Sequence, residues 1–226
     1  MSTSGRIPIW VKLVFTAFMA VLVPVYWTTY GPTNFLYFCD VAMFLALASV
    51  WTERPIYASI AAVGILLPQT LWAVDFLGTL IGYPLVGMTA YMFDPKIPFC
   101  ARALSFFHFW LPFFLVYLVW QLGYDRRGLR AWTILAVVLL LVCYLWLPAP
   151  PATTPDQPVN VNYVYGPSDQ KPQEWMDGRL WLASLLVGLP VLVFLPTHLL
   201  LNASFGSATK SIEPLSVARA SSPSAH

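Results

Sequence analysis

Six long apolar runs, separated by short polar or proline-containing stretches, constrain this chain more than any other feature. They cover residues 9–26, 34–51, 56–80, 103–121, 129–147 and 178–201. A helix needs about 20 apolar residues to cross the hydrocarbon of a bilayer, at ~1.5 Å of rise per residue. Charged residues are only 10% of the chain, whereas a soluble domain carries about 25%. The sequence therefore predicts an all-α polytopic membrane protein in which residues 1–202 form a six-transmembrane-helix bundle.

The segments outside the apolar runs predict the ends and the orientation of the chain. The first run is too long for a typical signal peptide and lacks a small-residue cleavage site, so it is predicted to stay as a helix. Residues 203–226 are rich in Ser, Ala and Pro, which predicts a disordered tail. Eight of the twelve Lys and Arg residues fall on the side that carries both termini. By the positive-inside rule, both termini are predicted to be cytoplasmic in a multi-pass cell membrane protein.

Composition also excludes several classes of partner and cofactor. A net charge of +2 with no dense cluster of Lys and Arg argues against nucleic acid as a partner. The three cysteines, Cys39, Cys100 and Cys143, form no CxxC pair, which argues against a zinc or iron–sulfur site. We therefore expect no metal and no cofactor, and a membrane lipid as the natural partner.

Polar side chains from four segments are predicted to meet near one membrane surface. With cytoplasmic termini, the second span enters from outside at Asn34, which places Cys39 and Asp40 about 8–9 Å below its start. The third span has Asp75 near its outer end and Gln69 nearer the middle. His108 lies near the outer start of the fourth span. The long connection before the sixth span adds further amides and phenols: Asn160, Asn162, Tyr163 and Tyr165. Ionisable groups inside a membrane face protein or water, because facing lipid costs several kcal/mol. This convergence predicts a site in the outer leaflet.

Cysteine and histidine together suggest one chemistry for that site. An imidazole can generate a thiolate nucleophile, and a carboxylate can orient the imidazole. Cys39 and His108 are thus candidate catalytic residues, and the others are candidate supporting residues. Each also has a structural interpretation: Cys39 as a small buried hydrophobe, His108 as a partner for a neighbouring helix, and Gln69 as a partner for backbone freed by Pro68. The Asn- and Tyr-rich segment could equally be a turn.

The order of four short motifs resembles one family of membrane proteins. These are residues 34–40 (NFLYFCD), 64–69 (GILLPQ), 106–109 (FFHF) and 162–165 (NYVY). They resemble YwaF-like integral membrane proteins, a group that includes transmembrane protein 164 and is distantly similar to the androgen-induced membrane hydrolases. The resemblance implies a six-helix fold and acyl-ester hydrolysis or acyl transfer, with Cys39 as nucleophile and His108 as base. Tyr37 departs from the family pattern, which has His two residues before the Cys.

Sequence alone leaves the function open between classes. One hypothesis is an acyl-lipid hydrolase or acyltransferase with an acyl-lipid substrate, and the alternative is a non-catalytic membrane subunit that binds a lipid or a partner subunit. Haem binding is a weaker hypothesis, because His108 and His198 are predicted at opposite ends of the bundle. A transporter is also weaker, because the chain shows no internal repeat with paired broken helices.

Overall fold

The fold is an all-α polytopic bundle, as the apolar runs predict. A computed structural model describes residues 5–151 and 158–206. In it, 74% of the residues are helical, and the described part of the chain contains no strand. Most of the tail predicted for residues 203–226 lies outside the described residues, at 207–226. Its first residues differ from the expectation, because the last helix continues to Phe205.

Eight α-helices make up the bundle within the described residues. They are α1 Ile9–Tyr30, α2 Phe38–Thr52, α3 Pro55–Leu80, α4 Phe99–Ser105, α5 Phe107–Leu122, α6 Arg127–Trp146, α7 Gly178–Gly188 and α8 Leu195–Phe205. The helices α4 and α5 together occupy the fourth predicted span, and α7 and α8 occupy the sixth. Short 3-10 turns, Pro32–Leu36, Ala90–Phe93 and Val161–Tyr163, lie in the connections.

In the part of the chain that the structure describes, five helical stretches are long and apolar enough to cross a membrane, which fits an integral membrane protein. The second predicted span is the exception, because α2 has only 15 residues. The helix α2 nevertheless runs antiparallel to α1, with each of its ends beside the opposite end of α1. Near the start of α2, Phe35 lies 6.3 Å from the ring of Trp27, and after its end Glu53 accepts a hydrogen bond from Lys12. The 3-10 turn before α2 therefore supplies the length that the helix lacks.

Two interruptions divide the fourth and sixth spans. The fourth breaks at Phe106, between α4 and α5. The sixth contains a π-helical stretch, Leu189–Phe194, that includes Pro190. Proline removes one backbone donor, and a single π turn is a common way for a helix to accommodate such a break.

The central helix of the bundle is α3, which packs against α2, α5 and α6. Small residues make this close packing feasible, because helices in a membrane associate through backbone approach rather than through hydrophobicity. At Gly64 the indole of Trp132 from α6 lies so close that an added Cβ would be 1.9 Å from its ring. Gly128 of α6 similarly meets the backbone of Ser59. The sequence thus places glycine where α3 and α6 touch.

The bundle has two ends with different polar chemistry. At one end, Glu53 accepts hydrogen bonds from the backbone of Arg6 at 2.8 Å and from Lys12 at 2.7 Å. The Lys12 hydrogen bond is the main reason that the pKa of Glu53 lies below its usual range. We call this the Glu53 end. The opposite end carries Asp75 and the two long connections, and we call it the Asp75 end.

Candidate functional site

Asp40 is buried in the first turn of α2, at the Asp75 end of the bundle. Its carboxylate is 2% exposed and accepts one hydrogen bond, from Nδ2 of Asn34 at 3.1 Å. The other oxygen, Oδ1, has no hydrogen-bond partner within residues 5–151 and 158–206. Asn162 holds this turn from outside the helix, because its Oδ1 accepts from Phe38 N at 3.0 Å and its Nδ2 donates to Leu36 O at 2.9 Å. The distant segment therefore caps α2 and positions Asp40.

Gln69 and Trp72 lie on one face of α3, at a depth close to that of Asp40. Asp40 stands twelve residues before the end of α2, and Gln69 fourteen residues after the start of α3. The two helices are antiparallel and joined by two residues, so at ~1.5 Å per residue their depths differ by about 3 Å. Gln69 is 3% exposed and Trp72 5% exposed. Neither Gln69 Oε1 nor Trp72 Nε1 has a hydrogen-bond partner among the residues that the structure describes.

His108 closes the group from α5. Its ring stacks on Trp72, with centroids 5.0 Å apart and planes inclined by 22°. Its Nδ1 lies 2.7 Å from the carbonyl oxygen of Ser105, and because a carbonyl only accepts, Nδ1 must carry the proton. The break at Phe106 frees this carbonyl, since Phe109 N donates to Phe106 O instead. In the neutral imidazole, Nε2 is then the basic nitrogen.

Two tyrosines and a serine surround these side chains, and none of the three was predicted as a site residue from the sequence. The Tyr26 hydroxyl hydrogen-bonds with the Ser105 hydroxyl. Burial, and then the neighbouring Cys39, raise the pKa of Tyr91, while its close approach to Trp72 and Ser105 lowers it. The indole N–H of Trp72 has no hydrogen-bond partner among the described residues. Asn34 and Trp72 had sequence signals, since they stand within one or two turns of Asp40 and Gln69. Tyr91 had none, because only the tertiary fold brings it here.

We call Asp40, Gln69, Trp72 and His108 the polar cluster. Among the hydrogen bonds of the described residues, none joins the Cys39 thiol to an imidazole nitrogen of His108. Cys39 lies in the first turn of α2 beside Asp40 and is partly buried. Gln69 Oε1 has no hydrogen-bond partner among the described residues, so this oxygen does not pair with backbone near Pro68. The catalytic role of Cys39 and His108 therefore stays a prediction.

The remaining candidate residues hold the connections of the Asp75 end in place. Asp75 accepts four hydrogen bonds from the loop that follows α3, two on each oxygen. Asn160 donates to the carbonyl oxygen of Gly166 and accepts from Tyr165 N. The Tyr165 hydroxyl contacts the carbonyl oxygens of Tyr144 and Leu147, and the carbonyl oxygen of Tyr163 accepts from Trp181. These groups build the frame around the polar cluster and have few polar atoms left for a ligand.

The Glu53 end also carries polar side chains, which form a solvated cleft and a hydrogen bond between helices rather than an enclosed site. An open cleft of about 380 Å³ is lined by Arg54, Asp125 and Arg127, among others. Arg127 is 81% exposed and pairs with Asp125 at 2.7 Å, so this is a solvated surface rather than an enclosed site. The Nδ1 atom of His198 lies at hydrogen-bond distance, 2.7 Å, from the hydroxyl oxygen of Tyr124. Within residues 5–151 and 158–206, no three His, Cys, Asp or Glu side chains group as metal ligands.

Comparison with known proteins gives no further assignment. No family model, no curated protein and no solved structure matches the chain. The function therefore has to be argued from the polar cluster itself.

Proposed function

We propose that this integral membrane protein binds the polar headgroup of a membrane lipid in the polar cluster. The observation that carries the proposal is the set of three buried atoms without partners, Asp40 Oδ1, Gln69 Oε1 and Trp72 Nε1. They come from two adjacent helices and lie at one end of the bundle. A ligand that supplies their hydrogen bonds would explain why the chain keeps them buried.

A bound ligand would remove the free-energy cost of these atoms. A buried donor or acceptor without a partner costs about 1–3 kcal/mol. Three of them together form a large term against a total stability of about 5–15 kcal/mol. A hydrogen-bonding headgroup that enters from the membrane would remove this cost and convert it into affinity.

The chemistry of the cluster defines what the headgroup must offer. Asp40 Oδ1 and Gln69 Oε1 accept hydrogen bonds, as does His108 Nε2 in the tautomer assigned above. Trp72 Nε1 donates. A matching headgroup carries both donors and acceptors. The acyl chains of such a lipid would lie against the surrounding apolar helices, in the hydrocarbon of the membrane.

The test compares two pairs of variants that remove similar unpaired atoms from different places. Trp72→Phe and Gln69→Met change the polar cluster, whereas Trp132→Phe and Ser49→Ala remove the unpaired Trp132 Nε1 and Ser49 Oγ elsewhere. Lipids that remain bound after purification in mild detergent are identified and counted by native mass spectrometry. We expect the first pair to lose a bound lipid species that the second pair retains. Equal lipid content in all four variants would refute the proposal.

Acyl-lipid hydrolysis or acyl transfer is the second candidate, and one observation favours it. The Ser105 carbonyl fixes the proton on His108 Nδ1, which leaves Nε2 as a base. Cys39, the candidate nucleophile, lies in the first turn of α2. The resemblance to YwaF-like proteins leads to the same pair. The two side chains would have to approach when substrate binds, since catalytic hydrogen bonds often tighten only in the complex.

The reaction would proceed through a thioester. Nε2 of His108 takes the thiol proton, the sulfur attacks the ester carbonyl, and the imidazolium returns the proton to the departing alcohol. Water completes hydrolysis, or a second lipid hydroxyl completes transfer. A thiol-directed acyl probe should label Cys39 in a Cys100→Ser background, in which the exposed thiol that could react without catalysis has been removed. Labelling that survives in Cys39→Ala, or that is unchanged in His108→Gln, would remove the enzyme hypothesis.

The orientation predicted from the basic residues completes the proposal. With both termini in the cytoplasm, the Asp75 end and the polar cluster belong to the outer leaflet. Cys100 is exposed at the start of α4, at the Asp75 end. A membrane-impermeant maleimide should therefore label Cys100 in intact cells, and labelling only after permeabilisation would reverse the orientation.

A further inference from the structure

The loop between α3 and the 3-10 turn Ala90–Phe93 exposes an unusual amount of apolar surface. Ile81 is 71% exposed, Tyr83 80%, Leu85 63% and Val86 57%. No Asp, Glu, Lys, Arg or His occurs between Phe76 and Phe93. A loop in bulk water is normally polar, and exposed apolar patches indicate a surface that contacts something.

The other long connection at the same end provides a comparison within the chain. Residues 166–179 contain Asp169, Lys171, Glu174, Asp177 and Arg179. The Lys171–Glu174 pair there is 69% and 77% exposed. That connection has the composition of a water-exposed segment. The apolar loop does not, although both belong to the same end of the bundle.

Three backbone N–H groups of the apolar loop are satisfied by a single side chain, Asp75. Asp75 Oδ1 accepts from Val86 N at 2.6 Å and from Gly87 N at 2.9 Å. Asp75 Oδ2 accepts from Thr89 N at 3.0 Å and from the Thr89 hydroxyl at 2.8 Å. Backbone donors need such internal partners where water is scarce, because an unpaired group in a membrane costs several kcal/mol.

The exposed side chains of the loop also continue a surface that faces lipid. Along the last turns of α3, Val74 is 50% exposed, Leu77 49% and Leu80 61%. Ile81 follows directly, and Tyr83 adds an aromatic ring of the kind that is enriched at the membrane interface. The lipid-facing stripe of α3 thus runs into the loop without a polar interruption.

We propose that residues 81–88 form a membrane-inserted loop that lies in the interfacial region of the leaflet at the Asp75 end. Tyr83, Leu85 and Val86 contact lipid, and Asp75 replaces the water that the backbone N–H groups of Val86, Gly87 and Thr89 would otherwise bind. This inference is independent of the polar cluster, because it rests on exposure, composition and the four hydrogen bonds to Asp75. It stands or falls whether or not a lipid headgroup occupies the cluster.

Spin labels measure the environment of the loop directly. Tyr83→Cys and Leu85→Cys are labelled in a Cys100→Ser background and reconstituted in lipid nanodiscs, with Val74→Cys as a lipid-facing control and Gln170→Cys as a water-facing control. Collision rates with oxygen, which concentrates in lipid, are compared with those of a polar nickel chelate. We expect oxygen to dominate at positions 83 and 85, as at position 74, and the chelate to dominate at position 170.

Two results would overturn the inference. If both loop labels behave like the label at position 170, the loop lies in water. If both loop labels are shielded from oxygen and from the chelate, the loop is covered by protein, and the occupant is a second copy of the chain. Two positions are used so that one poorly folded variant does not decide the outcome.

Discussion

The substitution Asp75→Asn tests how strongly the connection after α3 depends on one carboxylate. An asparagine keeps the shape of the side chain but has only one acceptor oxygen. If that oxygen stays with the backbone of Val86 and Gly87, the amide group faces the backbone N–H of Thr89. That donor loses its partner, which costs about 1–3 kcal/mol, and the two retained bonds lose their charge assistance, about 1 kcal/mol more in total. We expect a destabilisation of about 3 kcal/mol.

This cost should appear first as local opening of the loop, because the helices on either side are held by many other contacts. Hydrogen–deuterium exchange of the peptide that contains Val86, Gly87 and Thr89 measures the opening. A loss of about 3 kcal/mol corresponds to exchange faster by roughly a hundredfold, at 1.4 kcal/mol per factor of ten. Asp94→Asn is the matched control, since Asp94 accepts from Lys96 N within its own turn. Exchange that changes less in Asp75→Asn than in Asp94→Asn would refute the reasoning.

Three further substitutions test other parts of the helical bundle. The pKa of Glu53 is lowered mainly by its hydrogen bond with Lys12. The stability that the Glu53 carboxylate contributes is therefore present at neutral pH and is lost as the pH falls below about 4.3 toward the lowered pKa. Glu53→Gln should flatten the dependence of the thermal unfolding temperature on pH between pH 7 and pH 3.5, and an unchanged dependence would contradict this. Asn162→Ala removes two hydrogen bonds at the start of α2 and should cost about 2–3 kcal/mol in denaturant unfolding; a loss under 0.5 kcal/mol would count against the external cap. Gly64→Ala would bring a Cβ within 1.9 Å of a tryptophan ring and should cost about 3 kcal/mol, whereas Gly188→Ala, with open space around it, should be neutral by the same thermal assay.

The all-α membrane class could be predicted because it depends on composition and length alone. A run of apolar residues reports how much hydrocarbon a helix can cross, and this needs no knowledge of its neighbours. The limits of the helices were harder to place. The fourth run starts four residues earlier in the structure, at Phe99, and breaks at Phe106. That break depends on a competition between backbone carbonyls, and hydropathy does not report it.

The polar cluster could be predicted only in part, for a related reason. Asp40, Gln69 and His108 are rare residue types inside apolar runs, so they stand out in the sequence. Trp72 and Tyr91 do not, because aromatic residues are common in such runs and their relevance depends on an unpaired N–H or on a loop that folds back. Asp75 stands out equally well, yet its four hydrogen bonds serve the loop. Rarity locates an intramembrane polar residue but does not tell whether its partner is a ligand or the protein.

Tyr91 links the apolar loop to the polar cluster. It follows the segment that Asp75 anchors, and its hydroxyl lies close to Trp72 and Ser105. Ser105 in turn fixes the tautomer of His108 through its carbonyl oxygen. A loosened loop would therefore withdraw one wall of the cluster without changing any of its four side chains. If the cluster binds a lipid headgroup, Asp75→Asn should weaken that binding as well as open the loop, whereas Asp94→Asn should do neither. Opening of the loop without any loss of bound lipid would show that the two features are energetically independent.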